Sequence, residues 1–254
     1  MKLVDVHIHL DFNTYEKDID NLIKECIDKG VKVIIANGVN KQSNRKVLEL
    51  SKKYDVVKPA LGLYPTDVHD LSYEEIDEEI EFIKNSNCIA YGEVGLDNKE
   101  LDKGLEEEQK QKQLYTFKKF IELSKKTKIP LIIHSRKAEQ QIIELLEESK
   151  LKNPILHCFM GKKKLMMRAA DNGYFFSVLP IVNKSQQLQD LVRYVKLKQL
   201  LTETDGPYMS PFDGYSKPHY VSVAIQEIAK IKEIDELEAS NMIFMNYLSL
   251  FKNK

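Results

Sequence analysis

In the opening stretch "MKLVDVHIHLDF", His7 and His9 stand two residues apart at the end of a β-branched run from Leu3 to Ile8. Side chains at i and i+2 of a strand point to the same side, so the two imidazoles can grip one ion together. Further along, Glu93 sits in "YGEVGLD", His134 closes "LIIH", His157 follows "IL" in "ILHCF", and Asp205 ends "TETD". Neutral imidazole suits Zn2+, Fe2+ and Mn2+, and carboxylates suit harder ions, so this mixed set reads as a divalent-metal site. The six ligand-type residues exceed what one tetrahedral ion requires. With Glu93 as a bridging carboxylate, the set predicts two ions about 3.5 to 4 Å apart, the arrangement that activates water and steadies the leaving oxygen of a phosphoester. Asp205 has a second task in this reading: it orients the attacking water and accepts its proton as general base. Taken singly, each histidine is commonly a hydrogen-bonded structural side chain, and Glu93 or Asp205 alone could cap a helix or pair with a lysine. The functional reading rests on their convergence.

Convergence needs elements that bring the residues to one place. Short β-branched runs recur as "LVDVHI", "VKVIIAN", "VVKPALGL", "CIAYGEV", "IPLIIH", "PILHCF", "GYFFSVL" and "LKQLLTET". Between them lie charged segments with apolar residues at helical spacing, among them "YEKDIDNLIKECIDKG", "EEEQKQKQLYTFKKFIELSKKT" and "AEQQIIELLEESK". Gly30 and Gly173 fall where helix C-caps are expected. Eight strands alternating with helices predict a single α/β domain over residues 1–254, a (β/α)8 TIM-type barrel. A doubly wound open sheet is the rival, because sequence alone does not reveal strand order. In a barrel of this kind the C-terminal strand ends build the active site. There the chain concentrates four of its six histidines together with Glu93 and Asp205. "DELEASNMIFMNYLSLF" predicts an extra C-terminal helix packed on the outside, its Met and Phe stripe counted as core.

The chain of 254 residues is 43% hydrophobic and 30% charged, with a net charge of −1. These values suit a globular protein with a sizeable core and give no whole-chain basic excess for coating nucleic acid or an anionic membrane. Cys26, Cys88 and Cys158 form no CxxC pair, which argues against a disulfide framework and for a reducing cytoplasm. The N-terminus is too short and polar for a signal peptide, and no apolar run approaches a membrane span. The expectation is a cytoplasmic protein with no membrane contact and no obligate protein partner.

At its candidate ligands the sequence strongly resembles the TatD family of metal-dependent deoxyribonucleases, within the amidohydrolase superfamily. The matching stretches are "DVHIHLD", "GLYP", "GEVGLD", "IPLIIHSR", "HCFMG" and "TETDGPYMSP", spread over essentially the whole chain. The resemblance implies a barrel in which His7, His9 and Asp205 hold one metal, His134 and His157 hold the other, and Glu93 bridges. It implies hydrolysis of DNA phosphodiester bonds with two Mg2+ or Mn2+ ions, or Zn2+, by trimming of 3′ ends, with abasic-site incision and a part in DNA repair. Two stretches depart from the family pattern. Members usually read Gly-X-His-Pro where this chain has Gly62, Leu63, Tyr64 and Pro65, so a phenol replaces a substrate-side histidine. Where many carry Arg-Asn-Glu-Pro, this chain reads "GYSKPHY", with Ser216, Lys217 and Pro218.

Tyr64, Arg136 and Lys217 are the candidate substrate-binding residues, the last two as phosphate contacts from rim loops. "GKKKLMMR" offers a local backbone-binding patch, and Tyr64, Phe159, Tyr208 and Phe212 are candidates to stack on an unpaired base. His69 and His219 are read as loop or surface residues. Cys158, following a candidate ligand, is expected to point into packing. Two other functions fit the same residues: an amidohydrolase acting on a small amide, ester or phosphate ester, and a metal-stabilised binding protein without turnover.

Overall fold

The computed structural model describes residues 1–251. Its strands are β1 Leu3–Ile8, β2 Val31–Asn37, β3 Val57–Leu61, β4 Ala90–Gly95, β5 Leu131–His134, β6 Ile155–Leu156, β7 Phe175–Val178 and β8 Leu200–Thr202. The helices are α1 Asn13–Glu16, α2 Ile19–Asp28, α3 Lys41–Lys53, α4 Tyr73–Lys84, α5 Glu106–Thr127, α6 Glu139–Ser149, α7 Lys163–Asp171, α8 Gln186–Tyr194, α9 Val221–Lys232 and α10 Glu236–Phe251. The strands pair in sequence order, each parallel to the next, which excludes the open doubly wound order. The fold is the TIM-type (β/α)8 barrel.

Closure between β8 and β1 uses side chains more than a regular ladder. Thr202 Oγ1 donates to the Val4 carbonyl, and the Asp5 carboxylate accepts from the backbone N–H groups of His7 and Thr204 and from the Thr204 hydroxyl. Asp205 N then donates to His7 O at 2.9 Å, and His9 N to Gly206 O at 2.8 Å. These bonds seat the chain around Asp205 directly against the two N-terminal histidines.

Two apolar layers follow from the alternation of strand side chains. Outward residues meet the helices, as Tyr91 of β4 meets Phe120 of α5. Seven of the eight strands place residues in a buried inner cluster that includes Val4, Ile35, Ala60 and Ile132, and Phe175 of β7 packs against it. Tyr247 and Phe251 belong to that same cluster, so α10 lies across the N-terminal end of the barrel. Asn246 fixes it there by donating to the Leu197 and Leu200 carbonyls at 2.8 and 2.7 Å.

Several local expectations need correction. The predicted helix over "YEKDIDNLIKECIDKG" is broken, because Tyr15 turns inward and its hydroxyl donates to the Ser216 carbonyl, so α2 starts afresh after Asp18. The methionines of α10 are not core: burial recurs at Ala239, Ile243, Tyr247 and Phe251, and Met242 and Met245 fall on the opposite, exposed side. The strands predicted over 154–159 and 197–204 shorten to β6 and β8, because Cys158 N and Thr204 N bond to carboxylates rather than to ladder carbonyls. Gly30 and Gly173 do follow helix ends at positive φ, +91° and +80°.

Candidate metal centre

β1 delivers His7 and, one residue past its end, His9; β4 carries Glu93; β5 ends at His134; His157 follows β6; and Asp205 stands beyond β8. Their side chains meet. Glu93 Oε2 lies 3.4 Å from His7 Nε2 and 3.3 Å from His9 Nε2, whereas Oε1 lies 2.8 Å from His134 Nδ1 and 3.0 Å from His157 Nε2. One carboxylate therefore presents one oxygen to each histidine pair. Asp205 Oδ1 completes the first side at 3.5 Å from His7 and 3.7 Å from His9.

Close approach of backbone makes this possible. A Cβ at Gly95 would stand 2.0 Å from the His134 carbonyl oxygen, and one at Gly62 would stand 2.6 Å from that of Glu93. Only hydrogen in place of a side chain lets β3, β4 and β5 draw together under the site.

Three imidazoles are oriented by acceptors behind them. His9 Nδ1 donates to the Asn37 carbonyl, His134 Nε2 to Asp97 Oδ2 at 2.9 Å, and His157 Nδ1 to Glu203 Oε2 at 3.2 Å. A carbonyl or carboxylate can only accept, so the outer nitrogen carries the hydrogen and the inner one faces Glu93. Glu203 is itself fixed, accepting from Ser177 Oγ and Cys158 N. Sequence reading passed over Asp97 and Glu203, although both lie inside quoted stretches. A carboxylate four residues after Glu93 and another two before Asp205 were the available signals.

Electrostatics tie the cluster together. Burial would raise the Glu93 carboxyl, yet the surrounding imidazoles, His157 and His7 foremost, hold it well below its ordinary value. Burial opposes charge on His9, His134 and His157 as well, but the carboxylates against them carry all three above the usual histidine range. His7 is lowered, by burial and then by its neighbour His157, and both of its ring nitrogens are buried without a hydrogen-bond partner. Asp205 is raised, chiefly by burial.

An orphaned imidazole is costly to bury. A divalent cation is the partner that suits it, since it would accept lone pairs from several histidines and share the Glu93 oxygens. Among the described residues, His7 with His9 and Glu93, and Glu93 with His134 and His157, each bring ligand atoms close enough to hold one ion. The donor set fits a divalent metal.

A cleft of about 730 Å³ opens over this centre. Tyr64 lines it, its hydroxyl 3.4 Å from both Asp97 Oδ2 and His134 Nε2. Arg136 also lines it and pairs with Glu100 at 3.1 Å in an exposed contact, which costs little to break. Lys217 is turned elsewhere, 3.0 Å from Glu25 Oε2, and does not line the cleft. Phe159 is fully buried against Phe176. Arg168 of the predicted basic patch pairs with Glu147. His69 is engaged by Gln113.

One reading changes here and another is extended. His219 is buried rather than at the surface, with Cys26, Lys29 and Glu25 around it. Cys158 packs against the core as expected but also lines the cleft, because β6 ends at Leu156 and Cys158 adopts φ +43°, so strand alternation no longer applies. Burial pushes its thiol up to about 12, which keeps it from acting as a nucleophile.

The model of the TatD-related DNase family matches residues 4–252. Human deoxyribonuclease TATDN3 is 31% identical, covering 98% of this chain and 94% of its own length. The 3′-5′ ssDNA/RNA exonuclease TatD of Salmonella typhimurium is 27% identical over 85% of this chain and 83% of its own. The crystal structure of the TatD homologue YJJV from Escherichia coli superposes with a TM-score of 0.88 at 24% identity, covering 98% of both chains, a likeness of fold.

Proposed function

This chain belongs to the TatD-related DNase family of hydrolases, and on that premise we propose that it is a metal-dependent deoxyribonuclease that trims DNA from 3′ ends. The observation that carries the reading is the division of Glu93, one oxygen toward His7 and His9 and the other toward His134 and His157. Two divalent ions are proposed, with His7, His9 and Asp205 on one side, His134 and His157 on the other, and Glu93 between. Mg2+ or Mn2+ is the expected working metal, with Zn2+ the alternative that the imidazoles would also accept. Ions held there would supply the positive charge that polarises a phosphodiester and acidifies water.

The chain's own groups do the rest. Asp205, at the cleft and raised by burial, takes the proton of the attacking water. Asp97 and Glu203 keep His134 and His157 turned inward. Tyr64 and Arg136 are the proposed contacts to the phosphodiester from the cleft wall. No helix among the described residues is long and apolar enough to cross a membrane, and the proposed compartment is the cytoplasm. Incision at abasic sites, and with it a part in DNA repair, would follow from the same chemistry.

A second reading has one observation in its favour. Of the described residues lining the cleft, Arg136 is the one that is Lys or Arg, which suits a small ester, amide or phosphate ester as well as a polyanion. The test is cleavage of end-labelled DNA, with and without an abasic site, by metal-stripped protein and by protein resupplied with Mg2+ or Mn2+, beside small model esters. Metal-dependent shortening from the 3′ end is the expected result. Turnover of small esters with intact DNA would replace the nuclease reading by the second.

A further inference from the structure

Met160, Tyr208 and Met209 are 41%, 56% and 43% exposed, and all three line the cleft above the metal centre. Phe12 joins them to the site. Its ring stacks on His9, centroids 5.0 Å apart, and meets Tyr208 edge-on at 6.2 Å. Apolar surface thus begins at a ligand histidine and runs outward along one wall.

That wall is held in place. Tyr208 N donates to Asp205 O and Ser216 N to Pro207 O, each at 3.0 Å. Gly206 is packed so tightly that a Cβ there would stand 2.3 Å from the Tyr15 hydroxyl and 3.0 Å from Ile8. Exposed aromatic and thioether area in a fixed position is unfavourable in water until a ligand covers it.

Charge narrows the choice of ligand. Asp67, Glu93, Glu139 and Asp205 line the cleft, and Arg136 is their one guanidinium counterpart. A track of phosphate contacts is therefore missing from the lining, so grip on a nucleic acid beyond the reacting phosphate must come from another source. Stacking of bases on aromatic side chains is the source available.

The geometry points to a base-stacking platform, in which Tyr208, flanked by Phe12, Met160 and Met209, receives the unpaired nucleobase beside the reacting phosphodiester. The inference rests on the nuclease reading above and adds to it the side chains that would seat the base next to the reacting bond.

The test compares single-stranded oligonucleotides ending in a normal 3′ nucleotide with ones ending in an abasic sugar, on wild type, Tyr208→Ala and Tyr208→Phe loaded with Mn2+. For the normal end, Tyr208→Ala is expected to raise KM by roughly 5- to 150-fold, the range of one aromatic stack, with a smaller change in kcat. Tyr208→Phe, which keeps the ring, restores KM. The abasic end starts with the high KM in wild type and responds little to either substitution. Tyr208 is too exposed for these changes to threaten folding. Equal use of both ends by wild type, an unchanged KM in Tyr208→Ala, or no rescue by Phe overturns the platform and leaves the nuclease standing. Absence of cleavage of any DNA overturns both.

Discussion

Glu203 and Asp97 are fully buried, and each holds the far nitrogen of a candidate ligand histidine. Acceptors behind metal-bound imidazoles set ring orientation and basicity, and their loss weakens metal binding about 10- to 100-fold. Glu203→Gln and Asp97→Asn are each expected to lower metal affinity by that factor in a chelator competition, with all six candidate ligands present. An unchanged affinity in both would mean that the orientation is set by packing alone. That the six candidate ligands come together was legible because histidines and acids at strand ends are chemically conspicuous. Their supports were not, since nothing in a sequence says which of the neighbouring acids turns inward. His219 was misread for a related reason: one polar residue beside Pro218 resembles a loop, and only the tertiary fold packs it beside Cys26. Burial first, and then Lys29, push its imidazole down to about 4. The unfolded chain therefore binds the proton more readily, so this contribution to stability is complete above about pH 6.5 and is lost as pH falls toward 4. The difference is on the order of 3 kcal/mol. Thermal unfolding of His219→Gln is expected to depend less on pH across that window than that of wild type; an identical dependence would sink the assignment.

At the scale of elements, the site is held by strands that approach more closely than side chains would permit. Gly95→Ala puts a methyl group 2.0 Å from the His134 carbonyl oxygen, so β4 and β5 must part and carry Glu93 away from His134. Overpacking of this kind costs about 1–3 kcal/mol. The expected outcome is a lowered melting temperature together with a loss of metal affinity, and unimpaired metal binding would show that the strands tolerate the shift. Strand existence was readable from apolar runs alternating with helical periodicity, whereas the order β1 to β8 came only with the fold. Strand ends were not, because Cys158 and Thr204 leave the ladder for carboxylates distant in sequence. The broken helix after "YEKD" has the same origin, in a contact from Tyr15 to residue 216.

For the whole molecule, the barrel separates chemistry from support: the candidate centre occupies the C-terminal end, and α10 covers the other. Tyr247→Ala removes a ring from the inner cluster and is expected to cost about 3 kcal/mol, a fall of roughly 6–12 °C in melting temperature, without changing kcat at a temperature where the variant remains folded. A fall in kcat there would contradict the separation. Eight repeating strand and helix units made the barrel legible, whereas the exposure of Met242 and Met245 was not, because composition does not say which face of a helix finds a partner. The most direct measurement of the central claim is a titration of Mn2+ into metal-stripped protein, reading bound metal and DNA cleavage together, on wild type and on Glu93→Ala with its folding checked by thermal melting. Cleavage is expected to rise as occupancy approaches two ions per chain, and Glu93→Ala is expected to lose both bound metal and cleavage. Full cleavage without metal, or by Glu93→Ala, would contradict it.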